Sequence, residues 1–523
     1  MNDIMAKDLQ KLFIGRGFNP VIGTIYQQQE IWLSWYRGNV DGFHEIQKRS
    51  LEGIMIAIHK PTLQMAKKVS EDVTSLLFNE KVQLVVSGDD KAQGVLDTVL
   101  LDNNYHDEMV NFIELTCVYG TGLTVEYRSN NKTKVNFLHG DRVIIIDYDN
   151  TTPTAVAVIQ QFKKDKKTYH HVMYHTFADD KYRIQHEMYS IKSGSGLGRA
   201  DSLDVLFTNK ELNAMRHTRL EDNTQIVEYY TEYDTDTPHF QVFKLAISNN
   251  YDVRSPLGIS IFANSTGTLE NIDEKYYSSR MDSINSRKRI FVGDEASKSQ
   301  KRVDDGQISY RKYFDPDETQ FQVLKGLESS ETPVVAFAPV YDSAQHDEAI
   351  QMEMNYLSSK VMLGSNYYSF KDGAVGYQNE MNVIASSSDT FRNRQKNLNR
   401  LKKAIVDMMK SIMFLEQENG NYSGVLDKLE YDVHFDDDII TDDATIIKQM
   451  RDDSLDGFIA EYKYIMKAYG LNEEDAKAMI EEGRLDLAER NSALIKPYEE
   501  DEEDEEDEED EEDEDEDSDD DDE

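Results

Sequence analysis

A chain of 523 residues is too long for one simple core and fits two to four sub-domains. Its formal net charge is −43, of which the last 25 residues, EEDEEDEEDEEDEEDEDEDSDDDDE, supply −24 and leave −19 for residues 1–498. A charge of that sign favours solubility and excludes generic adhesion to duplex DNA, so any DNA contact has to be local and weak.

Cys117 is the only cysteine, which excludes an intramolecular disulfide and a multi-cysteine zinc site and fits a reducing cytoplasm. No apolar run approaches the roughly 18–20 residues that cross a bilayer. The start, MNDIMAKDLQKLF, lacks the apolar core and cleavage site of a signal peptide. A soluble protein used without secretion is expected.

Residues 1–80 read as helical. The segment TIYQQQEIWLSWYRGN carries both tryptophans, Trp32 and Trp35, before a break at Gly38. From Ser50 to Val82 the chain runs amphipathically, with Met65, Val69, Leu76 and Leu77 apolar and Pro61 marking a kink or boundary. From about residue 82 to 262 the period falls to two, in GTGLTVEYRS, KVNFLHGDRVIIIDYD, AVAVIQQFKK, TYHHVMYHTF and YRIQHEMYS. Clusters such as SNNK and YDNTTP separate these segments, so this is a mostly antiparallel β region. EMVNFIELTCVYGTG ahead of it reads as a helix that docks on the sheet and stops near Gly120.

Residues 264–292 form the next helix candidate, with Leu269, Ile272, Tyr276 and Ile284 apolar and the basic cluster Arg287, Lys288 and Arg289 suited to a helix C-terminus. About fifty polar, Gly- and Pro-containing residues follow (293–342), then a second helix over 344–363 with Ile350, Met354, Leu357 and Val361 on one face. The loop GSNYYSFKDGAVGYQN (364–379) leads into the longest helix, about 380–417. Its second half is periodic through Leu398, Leu401, Ile405, Met408, Ile412 and Leu415. Its first half is polar apart from Phe391, so it faces solvent, a partner or a channel, and Ser386–Ser388 offers a kink. A strand, LEYDVHFDDDII, precedes helices at roughly 442–467 and 472–490, the second capped by Asn472. The tail from residue 499 can bury nothing and is expected to be disordered.

Three motifs invite chemistry and have plainer explanations. His170, His171 and His175 lie on one strand, with His171 and His175 on the same face, but a metal needs further donors, and a half-exposed strand accounts for them. Asp436, Asp438, Asp442 and Asp443 lack the spacing and central glycine of a calcium loop; a strand end and a Thr441-capped helix start explain them. KSGSGLGRA (192–200) lacks the Lys-Ser/Thr of a phosphate loop and reads as a connector. No catalytic set, metal site or cofactor is called for. In charge, the exception is 389–410, where Arg392, Arg394, Lys396, Arg400, Lys402, Lys403 and Lys410 face only Asp389 and Asp407. Either this is a solvated face that pairs with acids elsewhere, or a basic belt near a polyanion path or an acidic neighbouring subunit.

The order helix, fifty-residue insertion, helix, glycine-rich loop and half-polar long helix resembles the portal proteins of tailed bacteriophages, those of long-tailed phages of Gram-positive hosts in particular. WYRGN (35–39), AKKVSEDVTSLLFNEKV (66–82), GISIFANSTGTLENIDEKYYS (258–278) and KRIFV (288–292) look like that family's, as do YQNEMNVIASSSDTFRNRQ (377–395) and YGLNEEDAKAMIEEG (469–483). The resemblance runs from about residue 20 to 490.

The resemblance implies an α+β portal fold: an α/β wing (1–263), a stem helix (264–292), a small α/β clip (293–342), a second stem helix (343–363), a tunnel loop (364–379), a long kinked helix with its return strand (380–440), a helical crown (441–498) and a disordered acidic tail (499–523). It implies a homo-oligomeric ring at one capsid vertex, usually of twelve subunits and sometimes thirteen when recombinant, assembled in the host cytoplasm and retained in the virion. Double-stranded DNA would pass through it without sequence readout. Its partners would be the terminase large subunit, scaffolding and major capsid proteins and a head–tail adaptor, with no membrane, cofactor or catalysis. The tunnel-loop residues Gly364, Ser365, Asn366, Tyr367, Tyr368, Ser369, Phe370, Lys371, Asp372, Gly373, Ala374, Val375 and Gly376 would project toward DNA. Three glycines free in φ and a single lysine beside an aspartate suit a loop that flexes without gripping phosphates. The competing readings are an acidic-tailed chaperone or adaptor for basic proteins and a metal-dependent hydrolase built on Asp436–Asp443.

Overall fold

The computed structural model describes residues 3–21, 25–49, 55–129, 131–179, 181–191, 196–218, 228–287, 289–293, 299–304, 307–312, 321–324, 334–337, 339–364, 367–368, 380–435 and 443–494. They divide into two compact units, 1–437 and 438–523.

The first unit opens with α1 (Asp3–Gly15) and α2 (Ile25–Arg37), whose Trp32 and Trp35 are buried. The helical reading of residues 1–80 then fails at a hairpin, β1 (Glu45–Arg49) with β2 (Met55–His59), in which Ile46 faces Ile58 and Arg49 faces Met55. Around Ile56 and Ile58 the β-branched residues alternate at period two, which outweighs the apparent amphipathic run, and Pro61 closes the segment. Helix α3 (Met65–Leu77) buries Met65, Val69, Val73 and Leu77. Strand β3 (Gln83–Ser87) follows, then α4 (Asp90–Asp102) and α5 (Tyr105–Tyr119). Helix α4 interrupts the expected β region. The Asp89 carboxylate caps it by accepting the Lys91 N–H, and Ala92, Leu96, Val99 and Leu100 make its buried face. Helix α5 stops at Gly120, at φ +76°, as the sequence reading expects.

Strands β4 (Gly122–Ser129), β5 (Lys132–His139), β6 (Val143–Asp149), β7 (Thr152–Lys164), β8 (Lys167–Ala178), β9 (Lys181–Ile191) and β10 (Arg199–Asp201) come next. The short helix α6 (Asn209–Ala214) and strands β11 (Arg216–Thr218), β12 (Glu228–Tyr233) and β13 (Phe240–Phe243) complete the region. They form an antiparallel sheet of order β11-β12-β9-β8-β7-β6, with β10 on β9, and a second antiparallel sheet β13-β4-β5.

Helix α7 (Thr266–Asn285) ends short of the expected Val292, and β14 (Arg289–Gly293) takes over. Arg287 therefore lies between elements and Arg289 begins a strand, because the β-branched Ile290 and Val292 favour extension. Among the described residues the following segment is strands: β15 (Ser299–Asp304) paired with β16 (Gln307–Lys312), and β17 (Phe321–Leu324) and β18 (Val334–Phe337) flanking β14, with β17 parallel and β18 antiparallel to it. Helix α8 (Ser343–Lys360) returns along α7; Lys360 reaches Thr268 and Lys275 reaches Glu353, so the pair is antiparallel.

Helix α9 (Glu380–Glu418) is continuous through Ser386–Ser388, and its Ile405, Met408, Met409, Ile412 and Met413 are fully buried. It packs on β13, β4 and α4 and hands over to β19 (Glu430–His434), which pairs antiparallel with β3. The second unit holds α10 (Asp443–Leu455), α11 (Glu461–Tyr469) and α12 (Glu473–Leu494). The single helix expected over 442–467 is two, broken at Gly457 with φ +79°. Asn472 caps α12 as expected, its side-chain oxygen 2.8 Å from the Asp475 N–H. Among the described residues no helix is long and apolar enough to cross a membrane.

Candidate functional site

Of the residues singled out for function, Gly364, Tyr367, Tyr368 and the basic residues of α9 lie among the described ones. Four residues into the glycine-rich loop the chain is still held: Gly364 and Tyr368 are buried, and the Tyr368 hydroxyl donates to Asp72 Oδ2 at 2.9 Å. Asp72 sits on α3, its Oδ1 2.6 Å from Lys68 Nζ. Gln351 of α8 donates to the Tyr368 carbonyl at 2.8 Å. Burial, with Asp72 second, pushes the Tyr368 phenol far above its ordinary range. Tyr367 is exposed and lies edge-on to Tyr368 at 5.1 Å. Ser365, Asn366, Ser369, Phe370, Lys371, Asp372, Gly373, Ala374, Val375 and Gly376 lie outside the described residues.

The basic segment does not form one belt. Arg394 turns inward and is buried, its Nε donating at 2.7 Å to the Leu76 carbonyl in the last turn of α3, where a cation is favoured. Lys402 leaves on another side to pair with Asp432 of β19. Lys410 pairs with Asp407 at 3.3 Å. Arg392, Lys396, Arg400 and Lys403 remain exposed, and their spacing of four, four and three puts them on one helix face. Arg400 also donates to the Leu245 carbonyl at 2.8 Å, and Asn397 accepts the Ala246 N–H at 2.7 Å, so α9 and the chain after β13 are stitched together beneath this stripe. Lys402 thus pairs with an acid outside the segment and Lys410 with one inside it, while Arg392, Lys396, Arg400 and Lys403 are exposed.

Beside the stripe opens a cavity of about 390 Å³, bounded by β13, α9 and the Thr151–Pro153 turn, with Lys244, Arg400, Lys403 and Asp407 on its wall. Lys244 Nζ donates to the carbonyls of Thr151 (2.8 Å) and Pro256 (3.0 Å). Burial, helped by neighbouring Arg400, pulls its pKa down to about 8. Sequence reasoning passed over Lys244; its one signal is a lysine set between Phe243 and Leu245 in an otherwise apolar run.

Along α7 and α8, Lys275 and Glu353 pair at 2.8 Å, and His346 and Asp282 at 3.1 Å. Asp273, buried in α7, accepts the Leu63 N–H at 2.9 Å and meets His44 Nε2 at 3.1 Å. The Val40 N–H donates to His44 Nδ1, so the imidazole proton sits on Nε2 and is donated to Asp273.

The histidines of β8 are buried, where a half-exposed strand was expected, because both faces of the strand are covered. His170 meets the Leu197 carbonyl at 2.8 Å, His171 meets His186 at 3.1 Å and His175 meets the Tyr182 hydroxyl. The His170 contact also ties Leu197 of KSGSGLGRA to the sheet; residues 192–195 lie outside the described ones. No group of three or more metal-binding side chains occurs among the described residues. Asp436, Asp438 and Asp442 lie outside them, as does the Asp443 side chain.

A family model described as phage portal protein, SPP1 Gp6-like, matches residues 24–493. Among solved structures, one chain from the neck of an empty GTA particle, computed with C6 symmetry, aligns over 88% of this chain and 98% of its own, at 12% identity and a TM-score of 0.40. No curated protein matches.

Proposed function

The chain belongs to the SPP1 Gp6-like phage portal family and is a portal protein of the capsid vertex, and on that premise we propose that its ring is the conduit for double-stranded DNA during packaging and ejection. The match over residues 24–493 carries this reading, because it spans nearly all of the chain ahead of the acidic tail. It favours the portal over both the chaperone and the hydrolase.

On this reading the protein hydrolyses nothing. It docks the terminase motor, then a head–tail adaptor, and the ring closes by heterologous contacts repeated about one axis. Residues 1–263 serve as wing, α7 and α8 as stem, 293–342 as clip, 364–379 as tunnel loop, 380–440 as the return to the wing, 441–498 as crown and 499–523 as tail. The antiparallel α7 and α8 flanking a strand-bearing insertion support the stem and clip assignment. The hold of α3 on Tyr368 supports a loop that moves from a fixed base. An acidic body supports sliding, since affinity for DNA grows with the number of phosphates neutralised. Assembly takes place with scaffolding and capsid proteins in the host cytoplasm.

Single-particle imaging with native mass spectrometry tests the reading. Subunits of 60.3 kDa closing as a twelve-fold ring give roughly 720 kDa around a central hole. A stable monomer that stays one in the presence of scaffold and capsid protein would sink it.

A further inference from the structure

We propose that the exposed cationic stripe of α9, together with the Lys244 cavity beside it, is a docking site for the polyacidic C-terminal tail of a neighbouring copy; this rests on the ring reading. The stripe is a local positive island in a chain of net charge −43, and the tail is the densest negative segment of that same chain. Among the described residues no carboxylate forms an ion pair with Lys396, Arg400 or Lys403.

Shape favours an acidic strand over duplex DNA. The cavity is a concave space of about 390 Å³ with Lys244 and Arg400 on its wall. Single carboxylate side chains can enter such a space, whereas phosphates on the convex face of a duplex meet only the rim. The ammonium of Lys244 is held by two carbonyl oxygens and no carboxylate among the described residues, so an entering carboxylate would complete its shell.

Length and local concentration agree. The described chain ends at Leu494, and residues 495–523 span at most about 100 Å when extended. In a closed ring the tails of all copies are tethered to one assembly, and tethering raises a weak ionic contact to an effective concentration on the order of millimolar where the linker spans the sites.

The test is zero-length carbodiimide coupling, which joins lysine amines to Asp and Glu carboxylates in contact, on full-length rings whose mass is measured in the same sample. Lys244, Lys396 and Lys403 are expected to couple to residues 499–523 at least fivefold more than the exposed Lys91, Lys181 and Lys210 do. Coupling should fall several-fold in 1 M NaCl, where the Debye length is about 3 Å. Arg400→Glu, which removes no amine, should lower it at Lys396 and Lys403 by a similar factor. Even coupling over all exposed lysines, in rings of the expected mass, overturns the docking site and leaves the ring intact.

Co-expression then decides which copy supplies the tail. One chain carries Lys396→Arg and Lys403→Arg with a native tail, and the other keeps both lysines but lacks 499–523. Coupling of Lys396 or Lys403 to residues 499–523 in mixed rings can arise only between copies, and its absence there overturns the assignment to a neighbour. Duplex DNA that shields these lysines in rings whose tails do not couple to them would assign the stripe to nucleic acid instead.

Discussion

Tyr368 and Asp72, 296 residues apart in sequence, share a 2.9 Å hydrogen bond that pins the start of the glycine-rich loop to helix α3. A charged acceptor makes it stronger than a neutral pair, about 1.5–3 kcal/mol. Tyr368→Phe keeps the buried ring and removes only the hydroxyl, so it should cost about that amount while the fold persists. Hydrogen exchange should accelerate at residues 364–368, with α9 beyond Leu398 unchanged; uniform acceleration would mean that the contact holds nothing local.

Arg394 is the buried member of the basic segment. Its Nε caps α3 through the Leu76 carbonyl, in a place where the helix C-terminus favours a cation. Arg394→Ala should therefore lower stability by about 2–3 kcal/mol. Lys396→Ala, at an exposed position two residues on, should stay within about 0.5 kcal/mol. Urea midpoints of the two variants check this; equal losses would return Arg394 to the surface stripe.

How much of this was legible follows from what each residue's signal depends on. The second half of α9 was read correctly, since Ile405, Met408 and Ile412 bury one face at helical period and nothing competes with that pattern. β8 and β9 were equally plain as strands from alternation, though the burial of both faces of β8 was not. The hairpin at 45–59 was missed because five-residue strands give too few periods against a neighbouring helical run. The division of the basic segment was illegible. Seven cations within 22 residues give a net charge, but which of them turns inward depends on Leu76 and Asp432, far away in sequence. Lys244 escaped for the same reason, as its carbonyl partners lie on two other segments.

Gly120 closes α5 at φ +76°, and a Cβ placed there would sit 2.3 Å from the backbone carbon of Ile259. The left-handed conformation and the backbone clash act together, and neither neighbour is the free end of a side chain. Gly120→Ala should cost more than about 3 kcal/mol, at the upper end of single-residue effects. Gly94→Ala, on α4 with open space around its Cβ, should be neutral or stabilise by up to about 1 kcal/mol. Thermal unfolding of the pair separates the two; a tolerated Gly120→Ala would mean that the α5 to β4 turn can move.

Glu126 takes stability from the molecule as pH rises toward 7. It is fully buried on β4, and Thr124 donates to its Oε1 at 2.7 Å. Burial pushes its pKa up to about 7 from 4.5. The folded state therefore binds more protons than the unfolded chain between those values, so stability falls as pH rises from 4.5 through 7. The loss is about 3 kcal/mol at most once the carboxyl is ionised. The buried histidines act in the opposite sense. Burial pulls His171 down to about 4, and His175 and His239 down to about 3, so their contribution is complete above pH 6.5 and is lost as pH falls toward those values. Three histidines outweigh one glutamate through this range, so stability rises with pH and levels off above pH 7. Urea titrations of the wild type should show that rise, less steep than the histidines alone would give. Glu126→Gln keeps the Thr124 bond and removes the titration, so the rise between pH 4.5 and 7 should steepen, by up to about 3 kcal/mol in total. An unchanged rise in that variant would mean that Glu126 does not titrate in this window.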